Sequence, residues 1–129
     1  MKRLRWLTSS AVIAIHQELI ATYGGVEGLR APASLESALA RPKHLASYKR
    51  GVTVPELAAA YAWGLLRNHP FTDGNKRVAL AAMIVFLELN RWELACSEAK
   101  ETAMVLRAAS GEITEAEWRA WVSRNARRG

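Results

Sequence analysis

Residues 69 to 77 read HPFTDGNKR and residues 78 to 89 read VALAAMIVFLEL. The second stretch is apolar on almost every side, which predicts a helix buried in a helical core. It carries Glu88 and falls short of the roughly 20 residues a membrane span takes, so it is read as core. Asp73 suits the N-cap of that helix and Gly74 a tight turn into it. A helix beginning there leaves the amides of Gly74, Asn75 and Lys76 pointing at one spot, where its dipole also favours negative charge. Lys76 and Arg77 reinforce that field. His69, held by Pro70 and Phe71 in the preceding loop, hangs over the same spot, so a base faces an anion site.

Outward from this centre the sequence predicts an all-α domain of about six helices. Thr8 caps a first helix whose apolar stripe is Val12, Ile13, Leu19, Ile20 and Tyr23, ended by Gly24 and Gly25. A short second helix is expected from Ser34 to Ala40 between Pro32 and Pro42, followed by a basic, flexible loop from Lys43 to Gly51. Thr53 and Pro55 open a third helix that ends at Asn68, because His69 precedes a proline. After the apolar helix, Asn90 and Arg91 turn the chain. Ser97 caps a helix to about Ser110, and Gly111 ends it. The last helix opens with a capping box, Thr114 to Glu117, and its basic end, Arg124 to Arg128, reads as a solvated helix terminus. Trp92 to Ala95 and the turn from Gly111 to Thr114 are the candidate short strands. Trp63, Trp118 and Trp121 are expected in the core, and Trp6 and Trp92 at an exposed groove.

With 129 residues the chain is expected to form a single domain, 1–129. Lys and Arg outnumber Asp and Glu by 18 to 12, a formal charge of +6 that suits an acidic partner, nucleic acid or a phosphorylated ligand and by itself does not choose among them. For the basic tail Arg124 to Arg128, direct nucleic-acid binding is the minor option beside a solvated helix end. Cys96 is the one cysteine, which leaves no disulfide framework and no thiolate cluster for zinc and suits the cytoplasm. MKRLRW looks like the start of a signal peptide, but His16, Gln17 and Glu18 interrupt the apolar stretch after it, so secretion is not expected. There is no GxxxxGK[ST] phosphate loop. His16 reads as a helix-face residue and His44 as a loop residue, with no array of Cys or carboxylates to make either a metal ligand.

HPFTDGNKR resembles the motif of the Fic/Doc superfamily, and its NKR ending is similar to the Doc (death-on-curing) toxin branch. WLTSSAVIAIHQELIATYGG resembles the opening helix and glycine turn of the family, SLESALARP its second helix, FLELN the end of its central helix and ASGEI a later turn. The resemblance therefore runs through nearly the whole chain in the family's order, and it implies a helical bundle around a buried central helix. One departure is that Arg30, Ala31, Pro32 and Ala33 stand where many relatives carry an acidic residue, which leaves contacts at that loop open.

The resemblance implies phosphoryl chemistry: a toxin that is a protein kinase, moving the γ-phosphate of ATP to a Ser or Thr hydroxyl of a translation factor like elongation factor Tu. The residues suit that role. His69 is the expected general base, since a neutral imidazole can take a hydroxyl proton near neutrality. Asp73 is the expected Mg2+ ligand, because magnesium needs few carboxylates when phosphates supply the other oxygens. Lys76, Arg77 and the amides at the helix start would stabilise the transferring group, Asn75 would orient a phosphate oxygen, and Arg67 would reach a phosphate from the other side. In the Fic branch a glycine at position 76 admits the α- and β-phosphates and AMP is transferred; Lys76 favours phosphotransfer, with AMP transfer the alternative. A second alternative is an idle module that binds an antitoxin or nucleic acid through its charge, in which Asp73 is merely a cap and His69 structural. The nearest match to the family's inhibitory signature, Ser97 to Glu101, fails at Thr102, so restraint is expected from a cognate antitoxin whose C-terminal segment folds on binding.

Overall fold

Side-chain caps set most of the helix starts. In the computed structural model, which describes residues 3–129, the order is α1 (Ser9–Tyr23), α2 (Pro32–Tyr48), α3 (Val54–Asn68), α4 (Asn75–Leu89), β1 (Trp92–Leu94), α5 (Glu98–Ser110), α6 (Glu115–Asn125) and β2 (Ala126–Arg128). Thr8, Thr53, Ser97 and Thr114 each accept a first-turn amide of the helix that follows, and Thr53 with Glu56 and Thr114 with Glu117 close capping boxes. Gly24 ends α1 at φ 84°, as the glycine pair predicts.

α2 corrects the expectation of a short helix and a loop. It runs on through Pro42 to Tyr48, and His44 lies on its exposed side. An interior proline costs a helix about 3 kcal/mol. Here Pro42 is itself buried, in line with Leu35, Ala38, Leu39 and Leu45, and burial of that stripe offsets the loss. The facing helix is cut to fit: a Cβ on Gly64 of α3 would stand 3.1 Å from the Ala38 carbonyl oxygen and 3.2 Å from its Cα.

α3 occupies the centre, packed by α2, α4 and α6. Every residue from Ala58 to Leu66 is buried, and the run of alanines with Gly64 lets three helices approach it closely. Its polar groups are used: the Tyr61 hydroxyl accepts the Leu7 amide at 3.1 Å, and the Ala59 carbonyl accepts the Trp118 indole N–H at 3.1 Å. α4 lies alongside and buries Val78, Ala79, Ala82, Met83, Phe86 and Leu87, while Glu88 and Leu89 reach solvent. Trp63, Trp118 and Trp121 join the core as expected, but Trp6 and Trp92 are half-buried, Trp6 against Phe86 and Trp92 beneath the Arg128 guanidinium. Tyr23, placed in the apolar stripe of α1, is instead 63% exposed.

Of the candidate strands, Trp92–Leu94 forms and Gly111 to Thr114 is a turn. The partner of β1 is a second correction: α6 stops at Asn125, and Ala126–Arg128 returns as β2, antiparallel to β1 with Leu94 opposite Ala126 and Trp92 opposite Arg128. Pairing with β1 satisfies backbone groups that a frayed helix end would leave to water. Among the described residues no helix is long and apolar enough to cross a membrane.

Candidate active site

The junction of α3 and α4 is built by two loops that hold each other. Pro70 closes the right-handed helical region to His69, so α3 ends there, with His69 as its C-cap at φ 45°, ψ 57° and its amide on the Leu65 carbonyl. A left-handed conformation is uncommon for a residue with a side chain and persists where neighbours hold it. Those neighbours come from the loop between α1 and α2. The Arg30 guanidinium donates to the His69 carbonyl, the Arg30 and Ala31 amides donate to the Pro70 carbonyl at 2.9 and 3.0 Å, and the Thr72 amide donates to Gly28 at 3.0 Å. Leu29 and Phe71 thereby form an antiparallel bridge. The imidazole of His69 is left exposed.

Phe71 is the buried anchor expected of it, 1% exposed. The Asn75 side chain closes on its backbone, accepting the Phe71 amide at 3.0 Å and donating to the Phe71 carbonyl at 2.9 Å. On the other side the ring of His16 stacks on Phe71, with centroids 3.9 Å apart and planes 9° apart. His16 Nε2 lies 2.7 Å from the Asp73 carbonyl oxygen. A carbonyl only accepts, so Nε2 carries the proton.

Two details at the start of α4 differ from expectation. Gly74, at φ 77°, is the N-cap; Asp73 stands one residue before it. The Asp73 carboxylate accepts the Gly74 amide at 2.8 Å on Oδ1 and the Val26 amide at 3.0 Å on Oδ2. Because Gly74 N–H is thus used and the first helical bond runs from Val78 N to Gly74 O, the amides without a carbonyl inside the helix are those of Asn75, Lys76 and Arg77. Those two amide bonds, from Val26 first and then Gly74, hold the Asp73 carboxyl below its ordinary range, and the Arg77 charge adds to them. Asp73, Lys76 and Arg77 are all exposed, and the Arg77 guanidinium stacks over Tyr23 at 4.7 Å.

The junction therefore gathers His69, Asp73, Gly74, Lys76 and Arg77, with the backbone of Asn75. The Asn75 side chain is not among them, since both ends of its amide are spent on Phe71. Arg67 is not brought in either: it donates to the Ala108 carbonyl of α5 and lies over the Trp63 ring at 4.5 Å. Two residues that hold the junction escaped the sequence reading, His16 and Arg30. The signal for His16 was its place four residues after Val12 and four before Ile20, on the buried side of α1.

Among the described residues no three His, Cys, Asp or Glu side chains converge on a possible metal position. A hard cation that takes one carboxylate and completes its shell with phosphate and water fits such a site. Each Asp73 oxygen accepts one amide and so keeps acceptor capacity for an ion. Free amides, Lys76 and Arg77 beside it fit phosphate groups.

Comparison with known proteins gives the family. The model of the Fic/DOC family matches residues 6–87, a span that includes the whole junction. The chain belongs to the Fic/DOC family. Two relatives within it are Doc proteins. The chain is 31% identical over 112 residues to the protein kinase doc of Escherichia phage P1, covering 86% of this chain and 87% of that one. It is 41% identical over 76 residues to the toxin Doc of Mycolicibacterium smegmatis, covering 57% of each. The helical bundle, the α3–α4 junction and these relatives set the chain in the Doc toxin branch of the Fic/DOC family.

Proposed function

We propose that this Doc-branch protein is a toxin that acts as a protein kinase in the cytoplasm, transferring the γ-phosphate of ATP to a Ser or Thr hydroxyl of a translation factor resembling elongation factor Tu. The observation that carries the reading is the meeting, at one helix start, of three free amides, two exposed cations and one exposed carboxylate, with His69 tethered directly before them. The names of the two relatives, a protein kinase and a toxin, support it.

In this reading His69 accepts the proton of the attacking hydroxyl as its oxygen forms a bond to the γ-phosphorus. The bond from that phosphorus to the bridging oxygen breaks, and ADP leaves with the electron pair. The amides of Asn75, Lys76 and Arg77 and the two cations hold the phosphate oxygens while charge redistributes among them. Asp73 would hold Mg2+, which supplies charge neutralisation between the phosphates when bound. Tyr23 and Val26, 63% and 59% exposed beside Arg77 and Asp73, offer an apolar shoulder for the protein substrate. Lys76 favours γ-phosphate transfer over AMP transfer through the bulk and point charge it adds where Fic enzymes carry glycine.

ATP labelled at the α- or the γ-phosphate, incubated with the protein and a bacterial extract, tests this directly. Label from the γ position alone is expected on one abundant protein, which mass spectrometry then identifies. Label from the α position alone would turn the reading into AMP transfer, and no label from either would leave a binding module. The same reading includes an acidic antitoxin segment that gains helix on this basic chain, charged +6. Expression without that partner should arrest growth, and harmless high-level expression would count against both toxin and partner.

A further inference from the structure

His16 is the one buried imidazole among the described residues, 2% exposed, and nothing in the phosphotransfer scheme uses it. It sits on α1 in register with Ile20, and these two side chains underlie the Asp73–Gly74 turn: a Cβ on Gly74 would stand 3.5 Å from both His16 Nε2 and Ile20 Cδ1. Two contacts fix the ring, which is itself buried: it stacks on Phe71 and it donates to the Asp73 carbonyl. The carbonyl it holds belongs to the Asp73–Gly74 peptide, whose other end is the Gly74 N–H bound to Asp73 Oδ1. Rotation of this peptide would swing the Gly74 N–H off Asp73 Oδ1 and so release the carboxylate from one of its two amides. Among the described residues the imidazole is the one side chain from outside the motif loop that hydrogen-bonds that peptide.

We infer that His16 is a positioning residue for the transfer reaction: through its bond to the Asp73 carbonyl and its stack on Phe71 it sets the plane of the Asp73–Gly74 peptide, and with it the Gly74 N–H that holds the Asp73 carboxylate. The inference deepens the phosphotransfer reading and rests on it for its kinetic consequence, but not for its structural one. A group that orients a ligand through one intermediate residue typically changes affinity or rate by about 10 to 100-fold when lost. His16→Phe keeps an aromatic ring on Phe71 and removes the donor. His16→Gln keeps a side-chain N–H at a similar reach and removes the ring.

The test measures Mg-ATP kinetics, thermal unfolding and amide hydrogen exchange on the purified full chain and both variants. His16→Phe is expected to raise KM for ATP and lower kcat by about tenfold each, with KM for the protein acceptor unchanged, while His16→Gln stays within about threefold of wild type. A residue that only supported folding would lower the active fraction, and so kcat, and leave KM for ATP alone; that pattern overturns the inference. If wild type transfers nothing from ATP, the phosphotransfer reading fails by itself and the structural claim is read from exchange. Faster exchange at Gly74 and Val26, the two amides bound to the Asp73 carboxylate, in His16→Phe but not in His16→Gln supports it, and unchanged exchange in both sinks it. Should His16→Phe not fold, His16→Gln decides alone: a loss of tenfold or more at wild-type melting temperature refutes the role, and retained kinetics support it.

Discussion

Asn75 and Phe71 are joined twice, amide to backbone in both directions, so that the first residue of α4 closes a ring around the anchor of the loop before it. Both partners are buried, so removing the side chain leaves the Phe71 N–H and C=O without their partners in the protein. Asn75→Ala should therefore cost about 2 kcal/mol, the penalty of two buried groups left unpaired. Thermal unfolding should show a drop of several degrees. A melting temperature equal to wild type would mean that the ring contributes nothing.

His69 is exposed and held in the left-handed region by contacts to its backbone. Asparagine tolerates that region better than most residues. His69→Asn should accordingly melt within about 2 °C of wild type while transfer from ATP falls by roughly 100-fold or more, the usual worth of a general base. Transfer at the wild-type rate would remove His69 from the chemistry.

Gly25 touches the site without belonging to the motif. At φ 122° it adopts a backbone that side chains avoid, and a Cβ there would stand 2.7 Å from Asp73 Oδ2. Gly25→Ala should push that carboxylate off the Val26 amide. Mg2+-dependent ATP binding, followed by calorimetry, is expected to weaken by about tenfold, with the effect absent when Asp73→Ala is the background.

Gly64 offers a test of sign. Helix propensity alone makes Gly→Ala in the middle of α3 stabilising by about 1 kcal/mol. The Cβ would meet the backbone of Ala38 at 3.1 and 3.2 Å and Arg41 Cδ at 2.9 Å. Helix α2 would have to retreat, so we expect Gly64→Ala to be destabilising by about 1 to 3 kcal/mol. Urea unfolding that shows a gain would mean that the α2–α3 contact gives way without cost.

Glu56 links stability to pH. Burial pushes its carboxyl up, but the Lys49 ammonium and the Thr53 amide and hydroxyl outweigh that and hold it below the ordinary range. A depressed acid stabilises the fold above its unfolded pKa, and that contribution is lost as pH falls through the folded one. Glu56→Gln should cost about 0.5 to 1 kcal/mol at neutral pH and nothing once Glu56 is protonated in both the folded and the unfolded chain. Parallel pH profiles of the melting temperature, with no convergence in acid, would contradict this.

The sequence by itself determined the threonine and serine caps of four helices, the break before Pro70, the apolar run of α4 and the chemical residues of the motif, because each is a local matter. A threonine three residues before a glutamate, a residue before a proline and a run of consecutive apolar side chains each act within a turn or two of the chain. Tertiary structure decided what depends on distant partners. Pro42 stays helical because the surface it buries lies on α3, and the last residues become β2 because β1 waits across from them. The amide of Asn75 turns inward to Phe71, Arg67 turns to α5, and His16, unremarkable in α1, is placed under the Asp73–Gly74 peptide. Side chains of one composition serve as ligand, clamp or packing according to which backbone group comes within hydrogen-bond reach, and that reach is fixed only when α1, α3 and α4 are packed together.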